Sequence, residues 1–146
     1  MAGFRTPDGV VFLADCISSK AALDKYAVSF IYDVEAYLKT LDMVEEMEAV
    51  MFVPAHAPAT DSIKELVCYN REKVHSIAGK ITDICRKPKN FEKILQEIFH
   101  EYGLAMNFEQ YVLVGSTIRS YLSWMKDNGR LSGVFEDNML LWQAER

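Results

Sequence analysis

The chain has 146 residues, half of them hydrophobic and 12% aromatic, enough apolar material for a folded core and too much for intrinsic disorder. The net charge of −5 resides in residues 1–60, where nine Asp/Glu oppose four Lys/Arg; residues 61–146 balance twelve against twelve. Neither portion has the strongly basic balance of a nucleic-acid surface, and no apolar run approaches the roughly 20 residues that span a bilayer.

The N-terminus, Met1-Ala2-Gly3-Phe4, lacks the basic segment and long apolar stretch of a secretory signal, so a cytoplasmic location is expected. From Gly3 to Asp15 the chain reads as a hairpin. Pro7-Asp8-Gly9 is strong turn chemistry, and Val10-Val11-Phe12-Leu13-Ala14 follows as a continuous apolar run. Between Asp33 and Met47, Val34, Tyr37, Leu38, Leu41 and Val44 recur at helical spacing. A second apolar run, Ala49-Val50-Met51-Phe52-Val53, completes a pattern of strand pair, crossover helix and strand. Continuous runs of this kind predict strands buried on both faces. One helix covers only one side of such a sheet, so the other side needs a partner absent from this stretch.

From Thr60 the pattern turns helical. Thr60 or Asp61 is the expected cap of a long helix reaching about Arg86, with Ile63, Leu66, Val67, Val74, Ile77, Ile81 and Ile84 as its apolar stripe. Pro88 breaks that run, and Asn90 opens a shorter helix ending at Gly103. Asn107 opens a third, which stops at Gly129. Two short strands, Leu131 to Phe135 and Met139 to Trp142, are joined by Glu136-Asp137-Asn138. Three helices followed by a hairpin is the winged-helix order.

The three cysteines, Cys16, Cys68 and Cys85, show no CxxC spacing and read as reduced thiols. Cys68 and Cys85 fall on the long helix and its end, where free Cys commonly behaves as a small buried hydrophobe.

Two residues have the type and context of metal ligands. Asp15 ends one apolar strand and His56 follows the other, in Pro54-Ala55-His56. Ligands at strand ends are held by a rigid sheet while reaching into the adjoining cleft. A carboxylate bridges two cations readily, and neutral imidazole suits zinc or iron. On spacing alone, an Asp and a His 41 positions apart mean little. His75 and His100 lie on amphipathic helices and read as partly exposed helix residues.

Thr6-Pro-Asp-Gly-Val-Val-Phe-Leu-Ala-Asp15 resembles the stretch of metallo-β-lactamase-fold proteins in which a strand delivers the aspartate bridging two metals. Phe52-Val-Pro-Ala-His56 is similar to the strand and loop delivering that family's final histidine. The family's usual forms are Gly-Asp and Pro-Gly-His; here the glycines are replaced by Ala14 and Ala55. The resemblance implies an α/β fold class: residues 1–60 as the C-terminal half of an αββα sandwich, and residues 61–146 as a helical winged-helix-like extension. It implies metal ligation by Asp15 and His56 when a matching N-terminal half is present, with zinc as the expected metal of the complete member and iron or manganese as alternatives; this chain alone is expected to bind none. Complete members use bridged metals to generate a hydroxide that attacks an ester, thioester, lactone, amide or phosphodiester.

The signature His-x-His-x-Asp-His is absent from this sequence, as is the histidine that normally precedes the bridging aspartate. A catalytic zinc usually takes three protein ligands plus water, and a single chain here offers two. The expected function is therefore a C-terminal portion of a metal-dependent hydrolase, inactive alone, with no catalytic residue assigned. Its expected partner is the missing N-terminal half or a second copy, as a homodimer. One alternative is a protein-interaction module built on the apolar segment Tyr111-Val112-Leu113-Val114, with Trp124 and Trp142 nearby. The other is a winged-helix nucleic-acid binder, against which the third helix offers only Arg119 and Lys126 as cations.

Overall fold

The computed structural model describes residues 3–145. Its contacts divide into two bodies. The first contains the chain up to Ala27 together with Glu35–Val74; the second contains Val28–Val34 and the chain from His75 onward.

The first body begins with the expected hairpin. Strands β1 (Gly3–Arg5) and β2 (Val10–Ser18) pair antiparallel, from Gly3↔Leu13 to Arg5↔Val11. Thr6 N–H donates to Val10 O at 2.9 Å and Gly9 N–H to Thr6 O at 3.0 Å, closing the turn. Gly9 has φ +87°, which favours glycine, and a Cβ there would lie 3.0 Å from Val50 Cγ2 and have to push that side chain aside. A short helix, α1 (Lys20–Lys25), follows; its N-cap Ser19 accepts from Ala22 N–H at 3.2 Å. Helix α2 (Val34–Glu45) is the crossover, and β3 (Met51–His56) then pairs parallel to β2. The sheet order is β1-β2-β3.

In β2, Val11 and Leu13 point into the core; in β3, Phe52 and Pro54 do. Val11, Leu13 and Phe52 cluster with Leu41 and Val44 of α2, with Ile63, and with Val67 in the first turn of the next helix. The opposite face is open: Phe4 is 64% and Phe12 44% exposed, and their rings lie 6.3 Å apart between centroids. The expectation of strands buried on both faces is thus corrected. The apolar runs conceal a period-2 alternation, and the described residues supply one cover only.

Helix α3 (Lys64–Ile84) crosses from the first body into the second, the division falling after Val74. Its expected cap, Thr60 or Asp61, is also corrected, because the helix begins only at Lys64. Thr60 instead exchanges backbone hydrogen bonds with Phe52, at 2.7 and 3.0 Å, and its hydroxyl accepts from Ser62 N–H.

In the second body, Asn90 and Asn107 cap α4 (Phe91–Glu101) and α5 (Phe108–Asp127), accepting from Lys93 N–H at 3.0 Å and Gln110 N–H at 2.8 Å. Both helices end near a left-handed glycine, Gly103 at φ +61° and Gly129 at φ +67°. Strands β4 (Leu131–Glu136) and β5 (Met139–Ala144) form a hairpin through Asp137 and Asn138, both at positive φ as a type I′ turn demands. Ile94, Leu95, Ile98, Ile118, Tyr121 and Leu122 are essentially fully buried. Ile31 N–H donates to Thr117 Oγ1 at 3.2 Å, tying the Val28–Val34 segment to α5. Among the described residues no helix is long and apolar enough to cross a membrane.

Candidate metal centre

Strands β2 and β3 run in register from Val10↔Met51 to Leu13↔Pro54, and pairing resumes at Ser18↔His56. Five residue steps on β2 therefore match two on β3, so the Ala14–Ile17 stretch bulges out of the ladder. Strict alternation would place Asp15 on the same inward face as Leu13. The bulge breaks that alternation: Leu13, Cys16 and Ile17 are buried while Asp15 is exposed. Bulges re-aim side chains in this way. Asp15 accordingly lies within β2 rather than at its end, and His56 is the last residue of β3 rather than part of a following loop.

The outcome is convergence. Asp15 Oδ1 lies 3.2 Å from His56 Nε2, with the two side chains 83% and 57% exposed. Ser19 N–H donates to His56 O at 3.0 Å, fastening the end of β3 to the chain just beyond the bulge. A carboxylate and an imidazole side by side on a fixed sheet are suited to share a cation. They are two donors, however, where a catalytic zinc takes three from protein. Among the described residues no group of three His, Cys, Asp or Glu side chains gathers to hold a metal. Two such donors could form part of a metal centre, and the described residues do not complete one.

The remaining candidates lie elsewhere. His75 is exposed on α3, its ring 6.5 Å from that of Trp124, and His100 is exposed on α4. Cys16 is buried within the bulge, and burial pushes its thiol up from the ordinary value. Cys85 is buried and pushed up to about 11 by the same cause. Cys68, expected to be buried, is exposed; its thiol donates to Glu72 Oε1 at 3.5 Å, and that hydrogen bond raises its pKa.

One residue bonded to Ser18, the residue paired with His56, escapes sequence reasoning. Asn70 of α3 is 1% exposed. Its Oδ1 accepts from Ser18 N–H at 3.2 Å and from Tyr37 Oη–H at 2.9 Å, and its Nδ2 donates to Ser18 O and Leu66 O, both at 2.8 Å. The available signal is its place on the apolar stripe, three residues after Val67 and four before Val74, where a polar side chain needs internal partners.

Comparison with known proteins identifies the fold. No family model matches the chain. A beta-lactamase domain protein from Burkholderia ambifaria superposes with a TM-score of 0.74 at 14% identity, covering 98% of this chain and 44% of that one. A metallo-β-lactamase family protein from Thermus thermophilus gives 0.72 at 12% identity, covering 99% and 45%. The chain therefore has a partial metallo-β-lactamase fold and spans less than half the length of these neighbours. A stretch of 117 residues is also 27% identical to the nuclear protein STH1/NPS1 of Saccharomyces cerevisiae, covering 73% of this chain and 8% of that protein.

Proposed function

We propose that this chain is the C-terminal portion of a metal-dependent hydrolase of the metallo-β-lactamase fold, with Asp15 and His56 as its share of the metal ligands. The observation that carries this reading is the 3.2 Å approach of Asp15 Oδ1 to His56 Nε2, made by a bulge in a sheet of that fold. Zinc is the proposed metal. Bound in a complete centre, it would acidify a water to supply a nucleophile and polarise the substrate's oxygen. This chain's own contribution is to hold one carboxylate and one imidazole on the sheet. The remaining ligands come from the N-terminal half of the fold. This chain covers 44% and 45% of the two structural neighbours, which leaves room for such a half, and that half would cover Phe4 and Phe12. Alone, the chain has a second copy available as cover, and we propose a homodimer. Three free thiols suit a reducing cytoplasm.

For residues 61–146 the proposal is a winged-helix-like extension that serves protein contact. Phe108, Val112 and Leu113 stand 79%, 47% and 48% exposed on the first half of α5, which favours a protein partner. Nucleic-acid binding is disfavoured because several of the cations are engaged locally. Arg119 lies over the Phe91 ring at 3.5 Å, Arg86 pairs with Asp83 at 2.7 Å, and Lys89 with Glu97 at 3.2 Å.

The test is turnover by the isolated chain, supplied with zinc, manganese or iron(II), on thioester, lactone and phosphodiester substrates. No turnover is expected. Turnover that Asp15→Ala abolishes would show that two ligands suffice, and would overturn the half-site reading.

A further inference from the structure

We infer that Asn70 is a positioning residue for the Asp15/His56 pair: its carboxamide clips the strand bulge that aims Asp15 at His56. The inference rests on the reading of those two residues as a half-site. Ser18 is the first residue beyond the bulge and half-buried, and backbone groups left without partners at such a point are costly. Asn70 binds both polar groups of Ser18, accepting from its N–H at 3.2 Å and donating to its C=O at 2.8 Å, as a neighbouring strand would. Ser18 is also where pairing with β3 resumes, opposite His56, and the next residue, Ser19, donates to His56 O at 3.0 Å. One side chain therefore fixes the point at which Asp15's strand rejoins His56's strand.

Asn70 is itself held from two sides. Its second Nδ2 hydrogen goes to Leu66 O, one turn earlier in α3, and Tyr37 Oη–H on α2 donates to its Oδ1. The phenol is well placed to remain a donor, since burial raises the Tyr37 pKa far above its ordinary value. The carboxamide thus makes four hydrogen bonds and cannot exchange its oxygen and nitrogen by rotation without losing the three to the backbone of Ser18 and Leu66. Alternatives fail on chemistry. Aspartate would keep the acceptor role but would face the carbonyls of Ser18 and Leu66 with a second acceptor; leucine would leave Ser18 unpaired at both groups.

The test uses the full chain, free of added metal, observed by amide hydrogen exchange and by NOEs from the His56 ring to the Asp15 Cβ protons. In Asn70→Ala the Ser18 and Ser19 amides should exchange about tenfold faster, and the His56–Asp15 NOE should vanish. The Phe52 and Thr60 amides, bonded to each other's carbonyls away from the bulge, should keep their rates. Tyr37→Phe removes one donor and should produce a smaller change at the same two amides. Unchanged Ser19 exchange with a retained NOE in folded Asn70→Ala would overturn the inference. Should Asn70→Ala fail to fold, unchanged Ser18 and Ser19 exchange in Tyr37→Phe would do so. Cobalt(II) added afterwards separates this from the half-site reading. If the clip variants loosen the bulge, yet cobalt(II) shows no preference for His56 in the unaltered chain, Asn70 positions the pair and the metal assignment falls.

Discussion

Asp15 and His56 hold each other at 3.2 Å with most of both side chains in water, so their contact contributes little to folding. Exposed pairs of this kind are typically worth about 0–1 kcal/mol. Asp15→Ala and His56→Ala should each shift urea-monitored stability by less than about 1 kcal/mol. A loss well beyond that would show a structural pair. The thiols give a second test at this scale. Burial raises Cys85 to about 11, so its neutral form is the one the folded state favours. The stabilisation is fully present below the unfolded thiol value and is lost as pH rises towards 11. Unfolding free energy measured across that window should fall with pH, and Cys85→Ala should flatten the slope. Exposed Cys68 should react with a disulfide reagent while Cys16 and Cys85 stay protected until unfolding.

Among the elements, the cap asparagines are the simplest to weigh. Asn90→Ala or Asn107→Ala should each cost about 1 kcal/mol by chemical denaturation, because each frees a helix-terminal N–H. A neutral result at either position would mean that water replaces the cap. These caps, the Gly103 and Gly129 stops and the Asp137-Asn138 turn are legible in the sequence because each is a local preference of one or two residues. Other features are not. The bulge between Leu13 and Ser18 depends on which β3 residues pair with which on β2, and nothing in Val10–Ala14 states that. The apolar run also hides the alternation that leaves Phe12 exposed. Helix α1 is only six residues, too short for periodicity to reveal, although Ser19 offers a cap. Thr60 and Asp61 have the chemistry of caps for α3, yet the helix begins only at Lys64, after Thr60 has bridged to Phe52. The pairing of Asp15 with His56 is legible through resemblance alone, since two residues 41 positions apart carry no local signal.

At the scale of the molecule, the sheet face carrying Phe4 and Phe12 is the feature that a complete fold would not leave open. Covering a large apolar side chain is worth roughly 1.5–3 kcal/mol. Light scattering should therefore find self-association at micromolar concentration, reduced towards monomer in Phe12→Asp without loss of helical circular dichroism. A folded monomer throughout that range, in the unaltered chain, would remove the proposed homodimer. The half-site itself is tested most directly by cobalt(II) titration of the isotope-labelled chain, following the ring signals of its three histidines. His56 should broaden at cobalt concentrations that leave His75 and His100 sharp, and Asp15→Ala should abolish that preference. Equal broadening of all three rings, or a preference for His56 that survives Asp15→Ala, would contradict a metal half-site formed by Asp15 and His56.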